Sequence, residues 1–496
     1  MKKTRRMLAL FAAVSLMAGS ISGCGSKGNS AETAAVKEAV KETAKDAAKE
    51  TTANEASAEA GSGAAEENAG EWYGNGDGTP VTLKVWGGIQ PEYGSDQAIA
   101  NFNEEFKDKG IQAEYVRYVN NADGNLQVDT YLMSEGEIDV LVGYGAEYLL
   151  NRAESDQLLN LTEMLNEAGF DSVKEMGAAS MSQYWVDGDQ IYGIPTIYSN
   201  NRWMMVNVDL FEQAGLEVPY DGWTYDEFLA AAEKLTTGEG LDKTYGVMWC
   251  FNSAMVQSLG LIGSTLGQQA YYKNLEGTET NFDNEAWVKG MSMVKSTVDN
   301  GWAYGLDDEV SESLTFANTF LEGKAAISMN ISQLRLILDT ETYPHDFKTA
   351  MVPGPVLDES YMTDEYKYHN NYSGTNDLIS IAKGTEHPEA CFQFLLWYVT
   401  GGMAPLAEYG RIPLWGGFDA SVITTLLAGK GDTMDLKSLE NYLNIDKSAA
   451  LTSPKLNAYT QIDAVLQEEY QNILLGQSSV EEAMTSAKTR ADQLLK

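Results

Sequence analysis

The chain has 496 residues, 44% of them hydrophobic and 10% aromatic, and its 72 acidic residues against 34 Lys and Arg leave a formal charge of -38. Binding to phosphate backbones needs concentrated Lys and Arg, so this balance excludes DNA, RNA and other polyanions and leaves neutral or cationic ligands. Acidity also keeps exported proteins soluble, so the charge removes partners without choosing one.

The N-terminus carries Lys2, Lys3, Arg5 and Arg6, then an apolar run from Met7 to Met17, and closes on Ile21-Ser22-Gly23-Cys24. A positive flank before a run too short to span a bilayer predicts a lipoprotein signal peptide over residues 1–23. Cys24 is then the lipidated mature N-terminus, its two acyl chains anchoring the protein to the outer face of the cell membrane. The alternative is an ordinary secretory signal cleaved near Ala18-Gly19-Ser20. Residues 24–70 are almost entirely Ala, Glu, Lys, Thr, Ser, Gly and Asn, with no aromatic residue. Such a segment cannot bury a core and is expected to be a disordered tether.

The folded part, residues 71–496, is roughly three times the ~150 residues of one domain, which predicts two lobes. Val81 to Trp86 reads as a strand, Gln97 to Phe106 as an amphipathic helix and Gln112 to Tyr118 as a second strand. Leu126 to Met133 follows as a helix and Ile138 to Val142 as a buried parallel strand before the turn Gly143-Tyr144-Gly145. This is α/β architecture, in which ligands gather at the carboxyl ends of strands. Val186 to Tyr192 holds an Asp-Gly turn, Trp203 to Val208 reads as a strand, and Thr224 with Glu227 forms a capping box. Residues 224–340 are expected to build a mainly helical second lobe, in which a helix stops at Gly323 before the strand Ala325 to Met329. Leu378 to Ala382 is a further strand, Pro388 opens the helix through Val399, and two helices end the chain, the second capped by Ser479 with Glu482.

Several of these segments together resemble the extracellular solute-binding proteins of carbohydrate ABC transporters (family 1). The resemblance rests on Asp187-Gly188-Asp189-Gln190-Ile191-Tyr192-Gly193-Ile194-Pro195, on Asn207 to Leu216, on Trp223-Thr224-Tyr225-Asp226-Glu227-Phe228, on Leu321 to Met329 and on His387-Pro388-Glu389-Ala390. Val206 stands where such proteins usually carry an aromatic residue. The resemblance implies a two-lobed periplasmic-binding-protein-like fold with hinge strands, a sugar held in the interlobe cleft, and delivery of that sugar to membrane permease subunits by a monomer.

Sugars are recognised by aromatic faces against their C–H patches and by amides, hydroxyls and carboxylates around their hydroxyl groups. Aromatic or polar residues at strand ends are therefore the candidates: Trp86 before Gly87-Gly88, Asp139, Tyr144, and Tyr198 with Asn200 where the chain passes between lobes. In the second half they are Trp249, Asn252, Asn330, Tyr372 and Trp415. The core or solvated-loop alternative stands beside each of them, and Trp397 in its apolar helix is read as core.

Nucleophile-elbow, zinc-protease and P-loop patterns are absent, and no cofactor or metal is expected from three dispersed histidines, His345, His369 and His387. Cys250 and Cys391 sit among apolar residues, either as buried thiols or as a disulfide. Two further readings stay open, a receptor for a non-sugar solute such as a polyamine or peptide, and a lipid-anchored glycosidase.

Overall fold

The computed structural model describes residues 72–496, with interruptions of which 252–260, 364–376 and 444–453 are the longest. Cys24, the signal and the tether lie outside the described residues, as do Asn200, Cys250, Asn252, Asn330 and Tyr372.

The first lobe is built on β1 (Val81–Gly87), α1 (Asp96–Glu105), β2 (Ile111–Arg117), α2 (Ala122–Leu132), β3 (Val140–Tyr144), α3 (Ala146–Glu154) and α4 (Ser172–Met176). A short strand, β4 (Ile194–Pro195), leads out of it. The second lobe begins at β5 (Trp203–Asn207) and continues through α5 (Tyr225–Leu235), β6 (Tyr245–Met248), α6 (Glu285–Asp299), α7 (Leu306–Glu312), β7 (Ala325–Ser328) and β8 (Thr349–Pro353). The chain returns to the first lobe with β9 (Asp377–Ile381) and α8 (Pro388–Trp397), then ends on the second with α9 (Leu436–Leu443), α10 (Tyr459–Leu474) and α11 (Val480–Leu494).

Five strands make the first sheet in the order β2-β1-β3-β9-β4, and four make the second, β8-β5-β7-β6. The three leading strands are parallel, with Val81 opposite Ile111 and Val85 opposite Val140, because a helix separates each from the next. β9 runs antiparallel to β3 and sets Asp377 opposite Tyr144. Both faces of the first sheet are covered. Leu83, Val85, Val140, Val142 and Ile379 pack on one side with Phe102 and Phe394, while Trp86, Leu141 and Leu378 pack on the other with Val128, Leu132 and Leu149.

Local signals decide where helices begin. Thr224 Oγ1 accepts from the Glu227 N–H at 3.3 Å while Glu227 Oε2 accepts from the Thr224 N–H at 2.8 Å, and Ser479 with Glu482 repeats the arrangement. Each such cap contributes about 1 kcal/mol. Pro388 opens α8 as expected, and Gly323, at φ 70°, adopts the left-handed turn that a side chain resists. One expectation needs correction. β3 runs to Tyr144, so this residue ends the strand and does not sit in the following turn. The described residues of 224–340 are mainly helical, as expected, and the two short strands among them, β6 and β7, pair with each other, while β5 pairs with both β7 and β8.

Candidate functional site

The lobes are joined by three connections, 196–202, 354–376 and 398–435, and the described parts of these bond to one another and to the strands they leave. The Thr196 N–H donates to Asp377 O at 3.0 Å, Leu414 N–H to Thr196 O at 2.9 Å, Tyr198 N–H to Ile412 O at 2.6 Å and Gly354 N–H to Arg202 O at 2.7 Å. These backbone bonds tie the described parts of the connections to one another.

At the mouth of the first sheet, Tyr144 is half-buried at the end of β3. Its ring covers Gly88 so closely that a Cβ there would come within 2.3 Å of Cε2. The hydroxyl of Tyr115 covers Gly87 at the same distance and donates to Ile89 O at 2.8 Å. The two glycines thus make room for tyrosine rings. Arg411, from the third connection, donates from Nη1 to Asp377 Oδ2 and places Cζ 5.7 Å from the centre of the Tyr144 ring.

The electrostatics of this group follow from its burial. Burial pushes the Tyr144 phenol well up, and the Arg411 charge offsets only part of this, so the ring stays neutral and keeps its hydroxyl proton. Burial likewise pushes the Asp377 carboxyl up while Arg411 pulls it down; burial works against the charge on Arg411, but the carboxylate holds the guanidinium protonated. The pair is ionic and its positive charge is spent internally.

Trp415 leaves the same connection and donates from Nε1 to Glu175 Oε2 at 2.8 Å, while Glu175 O accepts from the Gly416 N–H at 2.7 Å. Its ring is half-buried, with Gly417 over Cζ2. Tyr198 is buried in the first connection, 5.0 Å from the ring of Tyr442. It packs the hinge against α9 and offers no open face.

Three candidates sit elsewhere than expected. Trp249 is fully buried, its Nε1–H donated to Thr297 Oγ1 at 2.7 Å and its ring 5.8 Å from Phe228, so it is a core residue and not a platform. Asp139 precedes β3 at the end opposite Tyr144, where Oδ2 accepts from the Lys84 N–H at 2.8 Å and Oδ1 from Thr385 at 2.6 Å. It is a structural carboxylate that ties the approach to β3 to the middle of β1 and to the segment following β9. Trp86 is buried against Tyr131 with ring centres 5.0 Å apart, which removes it from the rim. Tyr115, Tyr118, Glu175, Asp377 and Arg411 were not singled out from sequence. Asp377 alone left a signal there, as a charged residue opening an apolar strand.

Among the described residues no group of three or more His, Cys, Asp or Glu is placed to hold a metal ion, and no helix is long and apolar enough to cross a membrane. Cys391 is a buried free thiol pushed up to about 12 by burial, with Sγ 3.4 Å from Thr385 Oγ1.

Two sheets joined by three bonded connections define a two-lobed binding protein of the periplasmic type. The chain belongs to the bacterial extracellular solute-binding protein family, whose profile matches residues 97–420. No curated protein sequence matches it. Among solved structures, a sugar transporter from Rhizobium etli in an open conformation is similar over 84% of this chain and 100% of its own, at 15% identity and a TM-score of 0.66. An ABC substrate-binding protein of Listeria monocytogenes in complex with cycloalternan matches over 84% and 98%, at 17% identity and a TM-score of 0.60. The cyclic alpha-maltosyl-1,6-maltose binding protein of Arthrobacter globiformis matches over 84% and 99%, at 17% identity and 0.59.

Proposed function

We propose that this protein is a lipid-anchored extracellular receptor that binds a sugar or oligosaccharide between its lobes and delivers it to the permease subunits of an ABC importer. The observation that carries the reading is the agreement of fold over 84% of the chain with proteins described as sugar transporters or as binding proteins for cyclic oligosaccharides. The membership of a solute-binding family supports a receptor over an enzyme. Cys24 supplies the anchor, and residues 25–70 hold the folded part off the membrane.

The residues at the mouth of the first sheet suit a neutral polyol. Tyr144 presents a half-buried aromatic ring with a protonated hydroxyl. Trp415 presents a second ring, fixed by Glu175. The arginine that reaches this group is neutralised by Asp377, so neither an anionic nor a polycationic ligand gains a free counter-charge from the pair. Ligand contacts made by both lobes at once stabilise the closed arrangement, which the permease then engages, and no bond is made or broken.

Isothermal titration of the purified protein against linear and cyclic gluco-oligosaccharides, other sugars, polyamines and short peptides tests the reading. Saturable heat with a sugar and an unchanged sugar recovered afterwards is the expected result. Binding confined to a polyamine or peptide, or recovery of a cleaved sugar, overturns it.

A further inference from the structure

Trp86 and Tyr118 lie on one face of the first sheet. Trp86 is in register with Val116 of β2 and Leu141 of β3, and Tyr118, two residues past Val116, donates its N–H to Gly87 O at 3.0 Å. Their side chains share a cluster with Val128, Leu132, Leu149 and Tyr184 at the carboxyl ends of the strands. Trp86 is 7% exposed and Tyr118 2%.

Both carry a buried polar atom that finds no partner among the described residues, Trp86 Nε1 and the Tyr118 hydroxyl. Buried polar groups are almost always hydrogen-bonded, because leaving one unmade forfeits its hydration without return. Two such groups on adjacent strands of one face, at the end of the sheet where α/β proteins bind ligands, are a matched set. The indole N–H only donates, and the phenol both donates and accepts. The indole can therefore give its hydrogen to an incoming oxygen, and the phenol can give or take one.

The surroundings specify the charge of that oxygen. Arg152, buried nearby with its guanidinium against Gly143, donates from Nε to Asp129 Oδ1 at 2.7 Å, so its charge is compensated. The cluster that the two side chains share is aromatic and aliphatic, and Asp377, the other charged group near Tyr118, is paired with Arg411. A carboxylate or phosphate would be desolvated there without a free cation, whereas a neutral hydroxyl would not. The half-exposed Tyr131 ring lies against Trp86, tilted by 46° with ring centres 5.0 Å apart, and is the cover that must turn to admit a group from outside.

We infer that Trp86 Nε1 and the Tyr118 hydroxyl form a hydroxyl-binding pair of the ligand site, taking one neutral hydroxyl group of the bound sugar against the aromatic wall at the ends of β1 and β2. The inference rests on the sugar reading above and adds a specificity determinant to it. A site with two waiting polar groups rejects an analogue lacking the hydroxyl far more strongly than an apolar pocket rejects an extra methylene.

Tyr118→Phe is the test, because it removes one oxygen and keeps the ring. The melting temperature of the variant alone is expected to equal or exceed that of wild type, since an unpartnered hydroxyl has gone. Its affinity for the sugar that wild type binds is expected to fall about tenfold, the scale of one hydrogen bond to a neutral group. The deoxy analogue lacking the engaged hydroxyl should bind wild type and variant equally. Unchanged affinity in Tyr118→Phe overturns the inference while the receptor reading stands, and assigns the two atoms to water alone. A lowered melting temperature overturns it also, because the hydroxyl then has a partner within the fold. If wild type binds no sugar in titration, the receptor reading fails and this pair with it.

Discussion

Arg411 and Asp377, 34 residues apart, form an ion pair that pins the third connection between the lobes to the first residue of β9. The carboxylate side chain is 6% exposed and the arginine 26%, so neither is well hydrated if the other is lost. Removing one member of such a pair costs about 3 kcal/mol or more, most of it the penalty of the abandoned charge. Arg411→Ala and Asp377→Ala are each expected to lower the urea midpoint substantially, and the double variant to lose much less than their sum. Additive losses would show that the two groups act independently.

Gly88 sits beneath the Tyr144 ring with no room for a methyl group. Gly88→Ala therefore displaces the ring from the mouth of β3, and sugar affinity is expected to fall by about 1–3 kcal/mol, as it should in Tyr144→Ala. Titration of both variants checks this. Wild-type affinity in the pair would remove Tyr144 from the binding surface.

Trp249 fills the core of the second lobe, and its truncation acts on stability. Trp249→Ala leaves a cavity beside Phe228 and takes away the donor to Thr297 Oγ1, which keeps its own bond to Val294 O, with an expected cost of about 3–5 kcal/mol in chemical denaturation. A variant as stable as wild type would restore Trp249 as an accessible platform.

Glu309 gives the protein a pH dependence whose sign can be worked out. Burial raises its carboxyl above the usual carboxylate range, and the hydrogen bond from the Phe251 N–H, 3.1 Å long, offsets part of that. The folded state thus holds the proton more tightly than the unfolded state. The stability contributed by this group is fully present below the ordinary Glu range and declines as pH rises through the raised value. Glu309→Gln keeps an acceptor for Phe251 without the charge, so it is expected to raise the melting temperature at neutral pH and to flatten the profile above the ordinary Glu range. A profile identical to that of wild type would contradict this.

Signals confined to a few neighbouring residues were readable in the sequence. The Thr224 and Ser479 capping boxes, the Pro388 helix start and the Gly323 turn stand where the sequence puts them, because each depends on groups within about four positions of one another. The strands around Leu83, Leu141 and Ile379 were legible for a related reason, since apolar alternation or a continuous apolar run reports burial directly.

The site was less legible, because exposure is not a local property. Trp86, Trp249 and Trp415 are chemically alike, yet one faces Tyr131, one is enclosed beside Phe228 and one is held half-open by Glu175 from 240 residues away. Asp139 and Asp377 are both carboxylates at strand starts, but β9 runs against β3, which carries Asp377 to the mouth of the sheet and leaves Asp139 at its base.

By itself the sequence determined the class of the protein: an α/β chain of two lobes behind an expected lipid anchor, with charge that rules out polyanions and motifs enough to point to a solute-binding family. Only the tertiary structure decided which aromatic rings remain accessible, that the described parts of the three connections bond to one another, and that Arg411 in the third of them is already neutralised. The reason is physical. Helix caps and strand patterns are fixed by near neighbours, whereas burial, strand direction and the pairing of charges depend on which distant segments the fold brings together.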